Sequence, residues 1–131
     1  MKYKLLNVFT AKFEFKNKLT EGINYNLLPF FSKNIIKIDD NNYEYHLLFS
    51  LHDHDEVSPY DIDLDIVGLF KVEDYKEKEL NEFLKSNAAN ILLPYLRGIL
   101  SSTMSSMMLT PIILPIIDVK EILNDWKIYY F

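Results

Sequence analysis

The chain has 131 residues, a formal net charge of −5, 49% hydrophobic and 15% aromatic residues, and no cysteine. At that length one domain with one core is expected, disulfide staples are excluded, and no basic patch is available to neutralise a nucleic-acid backbone. Nine tyrosines and nine phenylalanines exceed what a small core hides, so some are expected on a surface that meets a partner.

The opening stretch MKYKLLNVFTAKFEFK alternates and carries lysine throughout. It lacks the unbroken apolar core of a signal peptide and predicts a strand over about 3–16, with Phe9, Ala11, Phe13 and Phe15 on one face. Residues 17–33 have no clean period, hold Gly22 and Pro29, and end in the apolar cluster Leu27, Leu28, Phe30 and Phe31. Long irregular connections of this kind are often functional. A short strand is expected at 34–39, followed by the DDNN turn. In YEYHLLFSLH the residues Tyr43, Tyr45, Leu47, Phe49 and Leu51 share one face, which predicts a half-buried strand over 42–53. DIDLDIVGLFKV predicts another over 60–73, with Ile62, Leu64, Ile66 and Phe70 set against Asp61, Asp63 and Asp65. The polar segment with Pro59 between them makes the pair a hairpin.

The second half is helical. Asp74 followed by Glu77 has the form of a capping box. An apolar stripe through Leu80, Phe83, Leu84, Ala88, Ile91, Tyr95, Ile99 and Thr103 predicts a helix over about 75–107. Pro94 costs such a helix ~3 kcal/mol and Gly98 about 1 kcal/mol more, so a kink that follows a curved sheet is expected there. Two prolines in LTPIILPII forbid continuation, and a second helix with Ile122, Leu123, Trp126 and Tyr129 is expected at about 118–129. Arg97 and three prolines interrupt the apolar run at 91–117, so no membrane span is expected. Strands followed by helices give an α+β fold, a four-stranded antiparallel sheet with two helices on one face. The helical stripe exceeds what one sheet can cover, so helices of other subunits are expected to cover the rest.

Little chemistry is visible. In LHDHDE, His52 and His54 share a strand face beside Asp53 and Asp55, a pairing that can ligate zinc. A charged strand end running into a turn is the favoured account, since a catalytic metal needs a third ligand and His46 is the only other histidine; a metal-dependent enzyme built on the two histidines stands as an alternative of another class. There is no G-x-S-x-G, and three glycines are too scattered to cradle phosphate. Asp61, Asp63 and Asp65 form either a docking row or a solvated face that guards a sheet edge. Met104, Met107 and Met108 serve as core packing or as an adaptable surface. No enzyme activity and no cofactor are expected.

The stretch NAANILLPYLRGILSSTMSSMMLTPIILPIIDVKEIL resembles the signature of the SecB protein-export chaperones. The matching residues are Asn90, Ile91, Leu92, Pro94, Tyr95 and Arg97 on the helix, then Ile112, Leu114 and Pro115. FTAKFEF, YEYHLLFSL and DIDLDIVGLF resemble the family's first, third and fourth strands. The resemblance implies a single domain over 1–131, a dimer of dimers, and an ATP-independent holdase that keeps unfolded clients soluble, in many bacteria for the SecA motor. It implies a cytoplasmic protein without nucleic-acid or membrane partners. The chain stops at Phe131, without the tail by which typical members reach SecA. Family acidic positions on strand one fall on Lys12 and Lys16, while Asp63 keeps one on strand four. Coupling to SecA is therefore expected to be weak, and the role of SecB-like proteins that protect an antitoxin is the alternative to export. A client groove is expected with Leu27, Leu28, Phe30 and Phe31 as one wall and Ile122, Leu123 and Trp126 as the other.

Overall fold

The computed structural model describes residues 1–19, 29–53, 58–112, 114 and 128–130. Five strands form one sheet in the order β1-β4-β3-β2-β5: β1 (Lys2–Asn17), β2 (Phe30–Lys37), β3 (Asn42–Leu51), β4 (Tyr60–Glu73) and β5 (Ile128–Tyr130). The first four are joined antiparallel, whereas β5 runs parallel to β2. A helix follows β4 as α1 (Glu77–Glu82), a π-helical turn (Phe83–Asn87) and α2 (Ala88–Ser106). The α+β class and the four antiparallel strands are as expected from the sequence; the parallel fifth strand is not. The second helix expected at 118–129 falls mostly outside the described residues, and its end is corrected: Ile128 and Tyr129 are strand.

The core lies between the sheet and the helix. Tyr43, Tyr45, Leu47, Phe49 and Leu51 of β3 and Ile62, Leu64, Ile66, Phe70 and Val72 of β4 are buried there against Leu84, Leu92, Leu96 and Leu100. Each strand has a neighbour on both sides, so the period of two holds along its length. At Gly68 the helix descends onto the sheet. A Cβ there would lie 2.7 Å from Leu92 Cδ2 and 2.9 Å from a carbon of the Phe70 ring, so only glycine lets the two layers meet. Tyr45 is fully buried, and its hydroxyl has no hydrogen-bond partner among the described residues. Burial without a partner pushes its ionisation far above the ordinary range.

Strand β1, at the sheet edge, breaks the expected pattern. Its pairing with β4 shifts between Leu5 and Asn7 and again between Thr10 and Lys12. Each bulge adds one residue and exchanges the two faces. Tyr3 and Leu5 pair with Val72 and Phe70, Val8 and Thr10 with Gly68 and Ile66, and Phe13 and Phe15 with Leu64 and Ile62. The helix-facing set thus switches from odd to even positions and back. Phe9 pairs with Val67 on the far face and Ala11 sits in the second bulge, so neither shares a face with Phe13 and Phe15. The sequence stripe fails there because alternation across a bulge changes phase.

Strand β2 starts at Phe30, so Phe30–Lys33 belong to the sheet and not to the irregular connection. The start of the helix also differs from the expected capping box. Asp74 adopts a left-handed φ of 52° in the turn. It is the Glu79 carboxylate that accepts from the Lys76 backbone N–H at 3.1 Å, and it also meets the terminal ammonium of Met1 at 3.2 Å. Both contacts hold its pKa below the ordinary carboxylate value, the backbone bond most strongly. The π turn widens the helix and the buried Lys33 ammonium reaches into it, donating to the Lys85 carbonyl at 3.1 Å. At the other end Met108 N–H donates to Ser105 and Leu109 N–H to Met104, with Met108 at a φ of 60°. This is a Schellman stop with methionine at the left-handed position that usually goes to glycine.

Candidate functional site

Three surfaces bear on function: the far side of the helix, the open face of the sheet, and the β2 edge.

On α2 the side chains turned to the sheet are Leu92, Leu93, Leu96, Leu100 and Met104, all buried. Tyr95 and Ile99 stay 45% and 38% exposed. With Pro94 and Gly98 they face Val8, Thr10 and Ile66 across a cleft of about 340 Å³. The cleft exists because β1 carries the sheet past the helix edge. A Cβ at Gly98 would meet nothing within 4 Å, so packing among the described residues does not require this glycine. Phe9, 43% exposed, also lines this cleft, and Leu6 is exposed elsewhere on β1.

The open face of the sheet is charged. Asp61, Asp63 and Asp65 point outward from β4, and the register sets Lys16, Glu14 and Lys12 of β1 opposite them. The acidic row is therefore countered by lysines on the neighbouring strand. His46 Nδ1 lies 2.9 Å from Asp65 Oδ2 and its Nε2 2.8 Å from Glu44 Oε1. His52 Nε2 is 2.9 Å from Asp63 and its Nδ1 3.3 Å from Asp61. The hydrogen bond to Asp63 raises the His52 pKa most. Lys18 Nζ bridges Asp53 at 2.6 Å and Asp61 at 3.1 Å. It lowers the Asp53 pKa, with the Ser58 N–H assisting, while the Asp53 bond raises that of Lys18. His52 is thus held by carboxylates, and His54 lies outside the described residues. Among the described residues no three histidine or carboxylate groups are placed to share a metal ion.

Of the groove residues expected from sequence, Leu27, Leu28, Ile122, Leu123 and Trp126 lie outside the described residues. Phe30 and Phe31 are consecutive in β2 and so point to opposite faces. Phe31 packs edge-on against Phe49 with ring centroids 5.4 Å apart, whereas Phe30 is 50% exposed on the open face. Tyr95 and Ile99 are the open part of the stripe that the sequence spacing predicts, while Ile91 is partly buried against the core. That exposure follows from the π turn, which no spacing in the sequence announces.

A profile of the family described as "Preprotein translocase subunit SecB" matches residues 21–127, most of the chain. The chain belongs to the SecB family. No curated protein sequence matches this SecB-family chain. Among solved structures it is similar to the Mycobacterium tuberculosis Rv1957 SecB-like chaperone in complex with a ChAD peptide from the Rv1956 HigA1 antitoxin. The TM-score is 0.71 at 14% identity, covering 88% of this chain and 89% of that one. At that identity the likeness is one of fold. Among the described residues no helix of this SecB-family protein is long and apolar enough to cross a membrane.

Proposed function

We propose that this SecB-family chain is a non-enzymatic, ATP-independent holdase that keeps non-native polypeptides soluble in the cytoplasm, as a homotetramer. The observation that carries the reading is the exposed pair Tyr95 and Ile99 on the cleft that Phe9 also lines. Self-association through the helix side of this surface removes it from water, and the family membership supports a client for the remaining apolar area. Phe30, exposed on β2, is the described residue we assign to client contact, alongside Leu27, Leu28, Ile122, Leu123 and Trp126. Phe31 is turned to the core.

Light scattering on a size-exclusion column should give the tetramer mass; a clean monomer at micromolar concentration refutes the assembly. Stoichiometric addition should suppress aggregation of a chemically reduced test protein without nucleotide. Unchanged aggregation refutes the holdase role.

An antitoxin as client is a second reading, supported by the antitoxin peptide bound to the similar mycobacterial chaperone. It is favoured over export through SecA because Lys12 and Lys16 stand opposite Asp65 and Asp61. Their charge opposes a basic partner at the Asp61, Asp63 and Asp65 row and lowers its association rate. Calorimetric titration should detect weak SecA binding or none, and tight binding would restore export as the role.

A further inference from the structure

We propose that the free side of β2 is a strand-addition site for an extended segment of client polypeptide, and that the chain's own β5 occupies it as a resident competitor. This rests on the chaperone reading. Ile128, Tyr129 and Tyr130 pair in parallel with Ile35, Ile36 and Lys37. Their placement shows that the β2 edge accepts an added strand and sets its direction. The strand's sequence is one β-branched residue followed by two aromatics, a composition that favours extended backbone.

Two features make the occupant exchangeable. First, β5 is three residues long and meets only part of the eight-residue β2. A net backbone hydrogen bond contributes about a fivefold factor in stability, so so short a pairing is readily displaced by a longer client strand. Second, recognition through main-chain ladders demands little of the incoming sequence, which suits clients without fixed shape. Apolar side chains of β2 lie on both faces beside the added strand: Phe31 and Ile35 toward the core, Phe30 and Ile36 toward the open face. A strand added beside them gains side-chain contact on both faces. While β5 is seated, apparent client affinity falls by the fraction of time the edge is vacant.

The test locks the resident strand. Ile36 and Tyr129 are register partners, and neighbouring strands lie ~4.8 Å apart, within the span a disulfide accepts. The natural chain has no cysteine, so the double variant Ile36→Cys with Tyr129→Cys forms one defined bridge. The probe is reduced, carboxymethylated lactalbumin, which stays unfolded, with affinity read by fluorescence anisotropy. The oxidised double variant should bind it at least about fivefold more weakly than the same protein after reduction. Tyr129→Pro, a residue disfavoured within a paired strand, should bind it more tightly than wild type. Equal affinity of the oxidised and reduced forms, failure of the bridge to form, or a covalent dimer each overturns the assignment. Equal affinity leaves the chaperone reading standing, whereas absence of binding by wild type and all variants overturns that reading as well.

Discussion

Leu92 and Tyr95 are three residues apart on one helix, yet Leu92 has no exposed surface and Tyr95 is 45% exposed. A glycine accompanies each. Gly68 lies under Leu92 with no room for a methyl group, and Gly98 lies beside Tyr95 with open space around it. On the sheet side glycine is demanded by the fold of one protomer. On the far side nothing among the described residues demands it, although glycine costs about 1 kcal/mol in helix propensity there. The proposed self-association through the far side would account for that contrast.

The sheet side gives the largest effect. Leu92→Ala should cost about 2–5 kcal/mol in urea unfolding and Gly68→Ala about 1–3 kcal/mol by overpacking. The double variant should be less destabilised than the sum, because the new methyl enters the space Leu92 leaves. Additive values would mean that the helix does not rest on Gly68. The far side is probed by Gly98→Ala, which should stabilise an isolated protomer by up to about 1 kcal/mol. Gly98→Trp should lower the oligomer mass in light scattering while the protomer stays folded by circular dichroism. An unchanged tetramer would place the interface elsewhere. At the end of the helix, Met108→Gly should stabilise by about 0.5–1 kcal/mol, since glycine tolerates the left-handed conformation. A loss of stability would show that the Met108 side chain packs in the assembly.

The open face of the sheet gives the smallest effect. His52 should titrate in proton NMR above its ordinary 6.5, and Asp63→Asn should bring it back toward that value. A group whose folded pKa is raised stabilises the fold below the unfolded pKa. That contribution is lost as pH rises through the folded value, so the His52 share should vanish on the alkaline side. An unshifted His52 would remove the Asp63 contact.

The central strands were readable from sequence. In β3 and β4 neighbours on both sides enforce the alternation, and every expected core residue there is buried. What was not readable came from single-residue insertions. Two bulges in β1 exchange its faces, and the π turn moves the buried stripe of α2 from 91, 95, 99 and 103 to 92, 96, 100 and 104. Periodicity carries no marker for an insertion that leaves residue types unchanged. The start of β2 was hidden for another reason. Phe30 and Phe31 are both apolar, so no alternation showed that they point apart. Family-specific residues were clearest on α2, where the resemblance lies in Asn90, Ile91, Leu92, Pro94, Tyr95 and Arg97.

The pairing of β1 with β4 has a consequence for how the protein is made. It joins Asn17 to Tyr60 and Lys2 to Glu73, so the first strand to leave the ribosome waits for the last of the four antiparallel strands. Until then Tyr3, Phe9, Phe13 and Phe15 have no sheet to lie on, and long-range pairing of this kind is slow. Pulse-labelled hydrogen exchange during refolding should show β1 amides protected after those of β3; simultaneous protection would mean an earlier collapse onto β4. For part of its own synthesis this SecB-family chain carries an unpaired aromatic strand, the kind of segment proposed here as its client.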